Sequence, residues 1–217
     1  MWRTTCCCRF ERTMSRNLLT TSASCIVVAS ALMLIPLYLV WTVFFERDNF
    51  RVVTSDLYRS GQMRTGEWNK SFEEHHYRSV LNLRGENKKV DWYDKELEFA
   101  SEHNIEHYDF ALTAKTAPSD AEMVSIVKIM RLAPKPLLVH CNSGADRAGL
   151  VSALYVYSIE GMQAASAHQQ LSFWYGHFSW LRKTAAMDRA LSNFVADHPY
   201  ESLTTLTDLH VGRRWPT

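Results

Sequence analysis

Cysteine is nearly missing from most of this sequence. Of five cysteines in 217 residues, Cys6, Cys7, Cys8 and Cys25 fall within the first 25 positions, and Cys141 stands alone. The later chain can therefore build no internal disulfide, and no pair of cysteines has zinc-knuckle spacing. Cys141 would keep a free thiol in a reducing or an oxidising compartment. An excess of charge of one sign is also missing. The formal net charge is +1, and Lys/Arg and Asp/Glu are interspersed with no basic tract, so no nucleic-acid partner is implied. From Asp48 onward there is no repeat, low-complexity stretch or long linker.

What is present begins with a charge-free run, "CIVVASALMLIPLYLVWTVFF", Cys25 to Phe45. As a helix it would reach about 30 Å, the thickness of a bilayer core. Pro36 is tolerable in such a helix, and Trp41 near one end suits the interface. Two rival readings are a buried core helix and a cleaved signal peptide. Runs this long are rare in the cores of small domains, and this one exceeds the usual ~7–15-residue signal core. No small-x-small site follows Phe45. The expectation is therefore a short segment, 1–24, a single transmembrane helix, 25–45, and one domain, 46–217. Arg3, Arg9, Arg12 and Arg16 precede the run, opposed by Glu11, while Glu46, Arg47 and Asp48 follow it. The positive-inside bias then puts the N-terminus in the cytoplasm and the domain on the extracytoplasmic, periplasmic side. Met14 is an alternative start. If Met1 is used, the three adjacent thiols are palmitoylation candidates.

The remainder alternates. "FRVV" and "LYRS" read as short strands around a "TSD" turn, and "TGEWNKSFEEHH" as a helix opened by Thr65 or Gly66. "SVLNLR" reads as a strand ended by Gly85, "DWYDKELEFASEHN" as a helix stopped at Asn104, and "IEHYDF" as a strand. "APSDAEMVSIVKIMRLA" starts at a Pro-Ser cap and carries a Met123, Ile126, Val127, Met130 stripe. "PLLVH" is a continuous apolar strand, as in a sheet covered on both faces. Helices follow, "TAAMDRALSNFVADH" among them. The fold class is α/β, a mostly parallel sheet flanked by helices.

"LLVHCNSGADRAGL", Leu137 to Leu150, then places Cys141 at the carboxyl end of a buried strand and Arg147 at the start of a helix. Parallel sheets bind ligands at that edge. Loop N–H groups and the helix dipole make an anion cradle there. Gly144 permits a turn without a Cβ penalty, and Arg147 grips two oxygens with its planar fork. A thiol in that field is a thiolate near neutral pH, and under a bound tetrahedral oxyanion it is a nucleophile aimed at phosphorus.

His140-Cys141-x5-Arg147 resembles the signature of cysteine-based phosphatases, the protein tyrosine and dual-specificity class. The order "LYRSGQM", "SVLNLRGE", "HYDF", "VHCNSGADRAG" is similar to their atypical bacterial members and the related fungal and plant enzymes. The resemblance covers Leu57 to Ile159 and extends loosely into "QLSFWYGHF". It implies attack by Cys141, a phosphocysteine intermediate, and hydrolysis without a metal or cofactor. Asn142, Ser143, Gly144 and Ala145 would line the phosphate pocket. Two departures stand out. Ala148 replaces the usual Ser or Thr, whose hydroxyl assists the leaving thiolate. Asp146 precedes the arginine, as in inositide phosphatases and in secreted bacterial enzymes acting on phosphoinositides and phosphotyrosine.

Two aspartates compete as general acid. Asp109 lies about thirty residues before the cysteine, where the family's acid loop usually begins. Asp146 is placed narrowly ahead because it is fixed within the loop. The plainer roles are a solvated strand end for Asp109 and a loop-stabilising acceptor for Asp146. Arg84 ends a strand parallel to that of Cys141. It should reach the same sheet edge and support the loop, paired with Glu86, or else form a surface ion pair of little worth.

Weaker signals remain. His103 and His107 are four apart but fall across a helix end, which is unsuited to a metal pair. His75 and His76 read as a helix end. "FWYGHFSWLRK" gathers five aromatics, read first as core packing and second as a membrane-facing lip beside a lipid substrate. Tyr58-Arg59-Ser60, in "LYRSGQ", marks the resemblance without a role that follows from the residues.

The substrate expected is a phosphotyrosine, phosphoserine or phosphothreonine protein. The alternative is a phospholipid or phosphoinositide, and a reading of another class is a catalytically weak phosphate-binding module, which Ala148 favours. Arsenate reductases and low-molecular-weight phosphatases carry the loop near the chain start, and rhodanese-like proteins lack the His-Cys-x5-Arg pattern. Oligomeric state is not fixed by any of these signals.

Overall fold

The computed structural model describes residues 25, 27–38, 48–180 and 185–199. The chain divides into two units, Met1–Glu46 and Arg47–Thr217. In the first, residues 25 and 27–38 are helical, and the larger side chains from Val27 to Tyr38 are exposed. Among the described residues no helix is long and apolar enough to cross a membrane. Residues 39–45 of the expected span lie outside the described residues, as does the segment 1–24 with its three adjacent cysteines.

The second unit opens with β1 (Arg51–Val52) and β2 (Leu57–Ser60), followed by helix α1 (Thr65–His75). β3 (Ser79–Asn82), α2 (Asp91–Glu102), β4 (Glu106–Asp109), α3 (Asp120–Leu132) and β5 (Leu137–His140) alternate as expected. α4 (Asp146–Ser158), α5 (Ala164–His168), a 3₁₀ turn (Phe173–Tyr175) and α6 (Ala185–Asp197) complete it. Local chemistry sets several boundaries. Ser119 Oγ accepts from the Glu122 N–H at 3.3 Å while the Glu122 carboxylate accepts from the Ser119 N–H at 2.7 Å, a reciprocal cap that starts α3. α1 opens at Thr65, as expected, with Arg64 as its N-cap, whose backbone N–H donates to Glu67 at 2.7 Å. β3 ends at Asn82, two residues short of the expected strand. Asn82 Oδ1 accepts from the Arg84 N–H at 2.9 Å and turns the chain there.

The sheet order is β1-β2-β5-β3-β4, with β1 antiparallel to β2 and the other pairs parallel. β5 sits in the middle and is wholly buried, which is why it reads as an uninterrupted apolar run. Alternate side chains serve two cores. Leu57, Leu81, Leu137 and Val139 face α3, α4 and α6, whose Ile126, Met130, Leu150, Leu154, Met187 and Leu191 are almost fully buried. Tyr58, Val80 and Leu138 face Trp68 of α1 and Phe99 of α2. Each such aliphatic or aromatic side chain contributes about 1.5–3 kcal/mol by leaving water. At the carboxyl edge one register row crosses four strands: Ser60, His140, Asn82 and Asp109.

Candidate active site

Cys141 follows β5 directly and is buried, 1 % exposed. The loop then turns sharply. Gly144 has φ +69°, and a Cβ there would lie 2.6 Å from the Gly61 nitrogen, so glycine is needed both for conformation and for space. The Gly144 N–H points at Cys141 Sγ, 3.2 Å away. α4 begins immediately beyond the loop, at Asp146, one residue earlier than the sequence pattern gives.

The outer side of the loop is held by a continuous set of donors. The Asn142 carbonyl accepts from the Gln62 N–H at 3.1 Å, and that of Ser143 from Asn49 Nδ2 at 3.1 Å. Those of Gly144 and Ala145 accept from Arg59 Nη2 at 2.7 Å and 3.0 Å. In a trans peptide unit the C=O and the following N–H point opposite ways. Four consecutive carbonyls turned outward therefore turn the N–H groups of residues 143–146 inward, toward the thiol. Asn142 and Ser143 have exposed side chains, so their place in the pocket is a backbone one.

Arg147 is fixed by two backbone acceptors, the carbonyls of Leu83 and Leu112, each 3.2 Å from Nη1. These tie it to the segments that follow β3 and β4. Arg84 stands two residues past the end of β3. Glu86 is not its partner, because Glu86 pairs with Lys88. Arg84 Nη1 instead donates to Gln62 Oε1 at 2.9 Å, and its guanidinium lies 3.6 Å over the Trp92 ring. Burial, and then the like charge of Arg147, lower its pKa. Among the described residues no carboxylate lies within ion-pair distance of Arg84 or Arg147, which leaves two cations unneutralised near the loop.

The aspartates occupy different settings. Asp146 Oδ1 is 2.7 Å from His177 Nδ1, and His177 Nε2 is 2.9 Å from Asp188 Oδ2. Burial alone would depress the His177 pKa, but hydrogen bonds to Asp146 and Asp188 outweigh it and raise it. Asp109 closes β4. It accepts from Asn82 Nδ2 at 2.8 Å and from the Tyr93 hydroxyl at 2.5 Å. Its register row puts it roughly 10 Å from His140, two strand spacings away. Asp48, at the start of the unit, accepts the Gly61 N–H through its backbone carbonyl at 2.5 Å. Its carboxyl is pushed up to about 7, first by burial and then by the hydrogen-bonded Glu67 beside it.

Four contributors escape the sequence reading. Arg59 is fully buried on β2. Besides the two loop carbonyls it holds the Gln170 carbonyl at 2.7 Å and lies 4.4 Å over the Tyr175 ring. Burial lowers its pKa to about 10, so it stays a cation. Asn49 joins the Ser143 carbonyl to that of Tyr175, 2.8 Å from its Nδ2. His177 holds Asp146, and Glu96 lies 2.8 Å from His140 Nε2. A readable signal existed for Arg59 and Glu96, since each is a charged residue on the apolar side of its element.

The remaining histidines and aromatics also find places. His103 stacks on Phe99, and His107 Nε2 lies 2.9 Å from Glu96. Phe173, Trp174 and Trp180 are exposed, which corrects the expectation of core packing for these three. Among the described residues of that stretch, 173–180, the buried one is His177. The cause is the tight turn at Gly176, φ +80°, and the commitment of Tyr175 to Arg59 and Asn49.

Fold and loop together define a phosphatase domain of the protein tyrosine and dual-specificity type. Residues 46–188, more than half of the chain, match the family described as "DSP-PTPase phosphatase fused to NAD+ Kinase", and the chain belongs to that family. Among functionally curated proteins no match is found. Solved structures share the fold. The core catalytic domain of the PP-IP phosphatase SIW14 from S. cerevisiae, in complex with citrate, aligns with TM-score 0.59 at 18 % identity, over 74 % of this chain and 94 % of that one. TpbA from P. aeruginosa aligns with TM-score 0.56 at 18 % identity, over 74 % and 91 %. A Cys-to-Ser variant of TpbA in complex with phosphotyrosine gives TM-score 0.56 at 18 % identity, over 75 % and 92 %.

Proposed function

We propose that this chain is a phosphomonoester hydrolase in which Cys141 is the nucleophile and a phosphocysteine the intermediate. The observation that carries it is the set of four outward-held carbonyls, 142–145, because it turns a row of amide donors toward the thiol. In the first step Sγ bonds to phosphorus as the bond to the leaving oxygen breaks. Arg147 and the loop amides meet the charge on the other three oxygens. In the second step water attacks phosphorus and the S–P bond breaks. Ala148 is buried and supplies no hydroxyl to the departing thiolate, so this step goes without that assistance.

Asp109 is assigned as the acid that protonates the leaving oxygen and as the base that later takes a proton from water. Asp146 is the second candidate: its Oδ1 is held by His177, as both oxygens of Asp109 are held by Asn82 and Tyr93. Support for Asp109 comes from Leu112, three residues on, whose carbonyl meets Arg147.

The first substrate class is phosphoprotein, in keeping with a TpbA variant holding phosphotyrosine. A second reading, a phosphorylated inositol or phospholipid head group, is favoured by the unneutralised pair Arg84 and Arg147 and by the exposed Phe173, Trp174 and Trp180. SIW14, an inositol pyrophosphate enzyme by its description, shares the fold. Single-pass anchoring through residues 25–45, with the domain outside the cytoplasm, is part of the proposal and rests on the sequence run and its flanking charges. The test is phosphate release from a panel of phosphotyrosine and phosphoserine peptides, inositol phosphates and phosphatidylglycerophosphate. Turnover of the peptides ahead of the others is expected. Turnover confined to the inositol or lipid phosphates would install the second reading, and binding without release from any would reduce the domain to a phosphate-binding module.

A further inference from the structure

Near its start the domain has two successive residues in the left-handed region, Asp48 at φ +44° and Asn49 at φ +51°. Non-glycine residues adopt that region rarely, Asp and Asn more readily than others. Both residues meet the phosphate loop or its support. The Asp48 carbonyl accepts from the Gly61 N–H. A Cβ on Gly61 would lie 3.1 Å from that carbonyl oxygen and 3.1 Å from the Asn142 carbonyl oxygen, so the segment is pressed close to the loop. Asn49 is 1 % exposed, and its amide donates to the Ser143 carbonyl at 3.1 Å and to the Tyr175 carbonyl at 2.8 Å. Residues 48–49 are thus a strap across the outer side of the loop. A pair of acids holds the strap. The Asp48 side chain is hydrogen-bonded to Glu67 in the first turn of α1. Glu67 Oε2 also accepts from the Arg64 N–H at 2.7 Å. Carboxylates only accept, so a hydrogen bond between two of them needs one proton. Asp48 Oδ2 is buried and finds no donor among the described residues, a setting that a neutral carboxyl tolerates far better than a charged one.

We propose that Asp48 and Glu67 form a one-proton latch on the phosphate loop: while they share the proton the strap is closed and Asn49 holds the Ser143 carbonyl outward, and when the proton leaves the two carboxylates repel, the strap loosens and the loop grips a tetrahedral oxyanion less tightly. The inference deepens the cysteine-phosphatase reading above and rests on it. Burial, and then the hydrogen bond and charge of Glu67, push the Asp48 carboxyl up to about 7, against the opposing charge of Arg64. The folded state therefore binds this proton more tightly than the unfolded chain does. The latch is closed well below pH 7 and opens as pH rises through about 7. Glu67 and Arg64 are the charged groups that face Asp48 from α1 and its cap. On the loop side the strap meets the backbone of Gly61 and Ser143 and the carbonyl of Tyr175, whose ring lies against Arg59.

The test is made on the full chain carrying Cys141→Ser, which removes the thiol and its chemistry. The probe is sulfate, a tetrahedral dianion that does not titrate between pH 6 and pH 9, and the readout is its dissociation constant by calorimetry. Affinity should fall by about fivefold or more across that window, the scale of an ordinary coupling between two sites. Asp48→Asn offers an amide N–H to Glu67 at every pH, so it should keep the affinity near its pH 6 value throughout. The His177 clasp titrates in the same window and is untouched by this variant. A fall that persists in Asp48→Asn would therefore overturn the latch. Asn49→Gly fits the left-handed backbone but removes the amide, so it should bind sulfate weakly at pH 6 and lose the pH dependence. A pH dependence kept in Asn49→Gly would route the effect around the strap and overturn the proposal. If Asn49→Gly does not fold, the comparison with Asp48→Asn decides alone. Sulfate bound equally well at pH 6 and pH 9 by the Cys141→Ser chain would overturn the latch and leave the cysteine mechanism standing. Aryl phosphate turnover retained in Cys141→Ser would overturn both.

Discussion

Arg59 Nη2 stands 2.7 Å from the Gly144 carbonyl oxygen, so a fully buried cation holds the outer side of the loop whose inner side faces the thiol. Arg59→Met would remove the donor of the Gly144 and Gln170 carbonyls, and would leave that of Ala145 with the Gly149 N–H. Each buried acceptor left unpaired costs about 1–3 kcal/mol. Arg59→Met should therefore lower the melting temperature and reduce aryl phosphate turnover by at least about tenfold, since about 1.4 kcal/mol of lost transition-state stabilisation is a factor of ten. Arg59→Lys should fall between, because an ammonium cannot span the same acceptors. Thermal melts and kcat/KM measure both. Wild-type turnover in Arg59→Met would mean that the loop keeps its shape unaided.

The clasp of His177 between Asp146 and Asp188 makes stability depend on pH. Its folded pKa is raised above the ordinary 6.5, so the folded state binds the proton more tightly than the unfolded chain. That stabilisation is fully present below 6.5 and is lost as pH rises through the folded value. Urea midpoints should fall between pH 6 and pH 9 in the wild type and fall less in His177→Gln. A wild-type midpoint that climbs over this window, with His177→Gln unchanged, would contradict the charged clasp.

Loss of a general acid harms a poor leaving group most. Asp109→Asn should slow an alkyl phosphate by about a hundred- to ten-thousand-fold, spare an activated aryl phosphate, and flatten the basic limb of the pH–rate profile. Asp146→Asn should slow both substrates alike and lower the melting temperature, because the Asp146 carboxylate holds His177. The reverse pattern would return the acid role to Asp146.

Much of this was legible from the residues alone. Strand β5 announced itself as an apolar run because it is covered on both faces, and Cys141, Gly144 and Arg147 followed from the chemistry of a strand-to-helix loop. The partners of those residues were not legible, because they come from elsewhere in the chain. Arg59 reaches the loop across 85 positions, and Glu96 reaches His140 across 44. Pairings of that separation are set by sheet order, β2 beside β5, and by the helix that covers the edge. Arg84 was expected beside Glu86 by sequence proximity, but the turn made by Asn82 sends it to Gln62 and Trp92.

Topology is open to a direct test. A reporter that works only outside the cytoplasm, fused after Thr217, should be active, whereas one fused ahead of Arg16 should not. The opposite result would reverse the orientation drawn from Arg3, Arg9, Arg12 and Arg16. Recovery of the domain in the soluble fraction would favour a cleaved signal over an anchor.

The central claim is that Cys141 forms a covalent bond to phosphorus in a cradle built by the loop backbone and Arg147. The most direct measurement is phosphate release from a generic aryl phosphate by Cys141→Ser, alongside substrate binding by the same variant. The account predicts release abolished and binding retained, because the amides of residues 143–146 are held in place by Gln62, Asn49 and Arg59 without help from the thiol. Retention of even about a tenth of the wild-type rate would contradict covalent catalysis at this residue, since loss of an essential nucleophile costs several orders of magnitude.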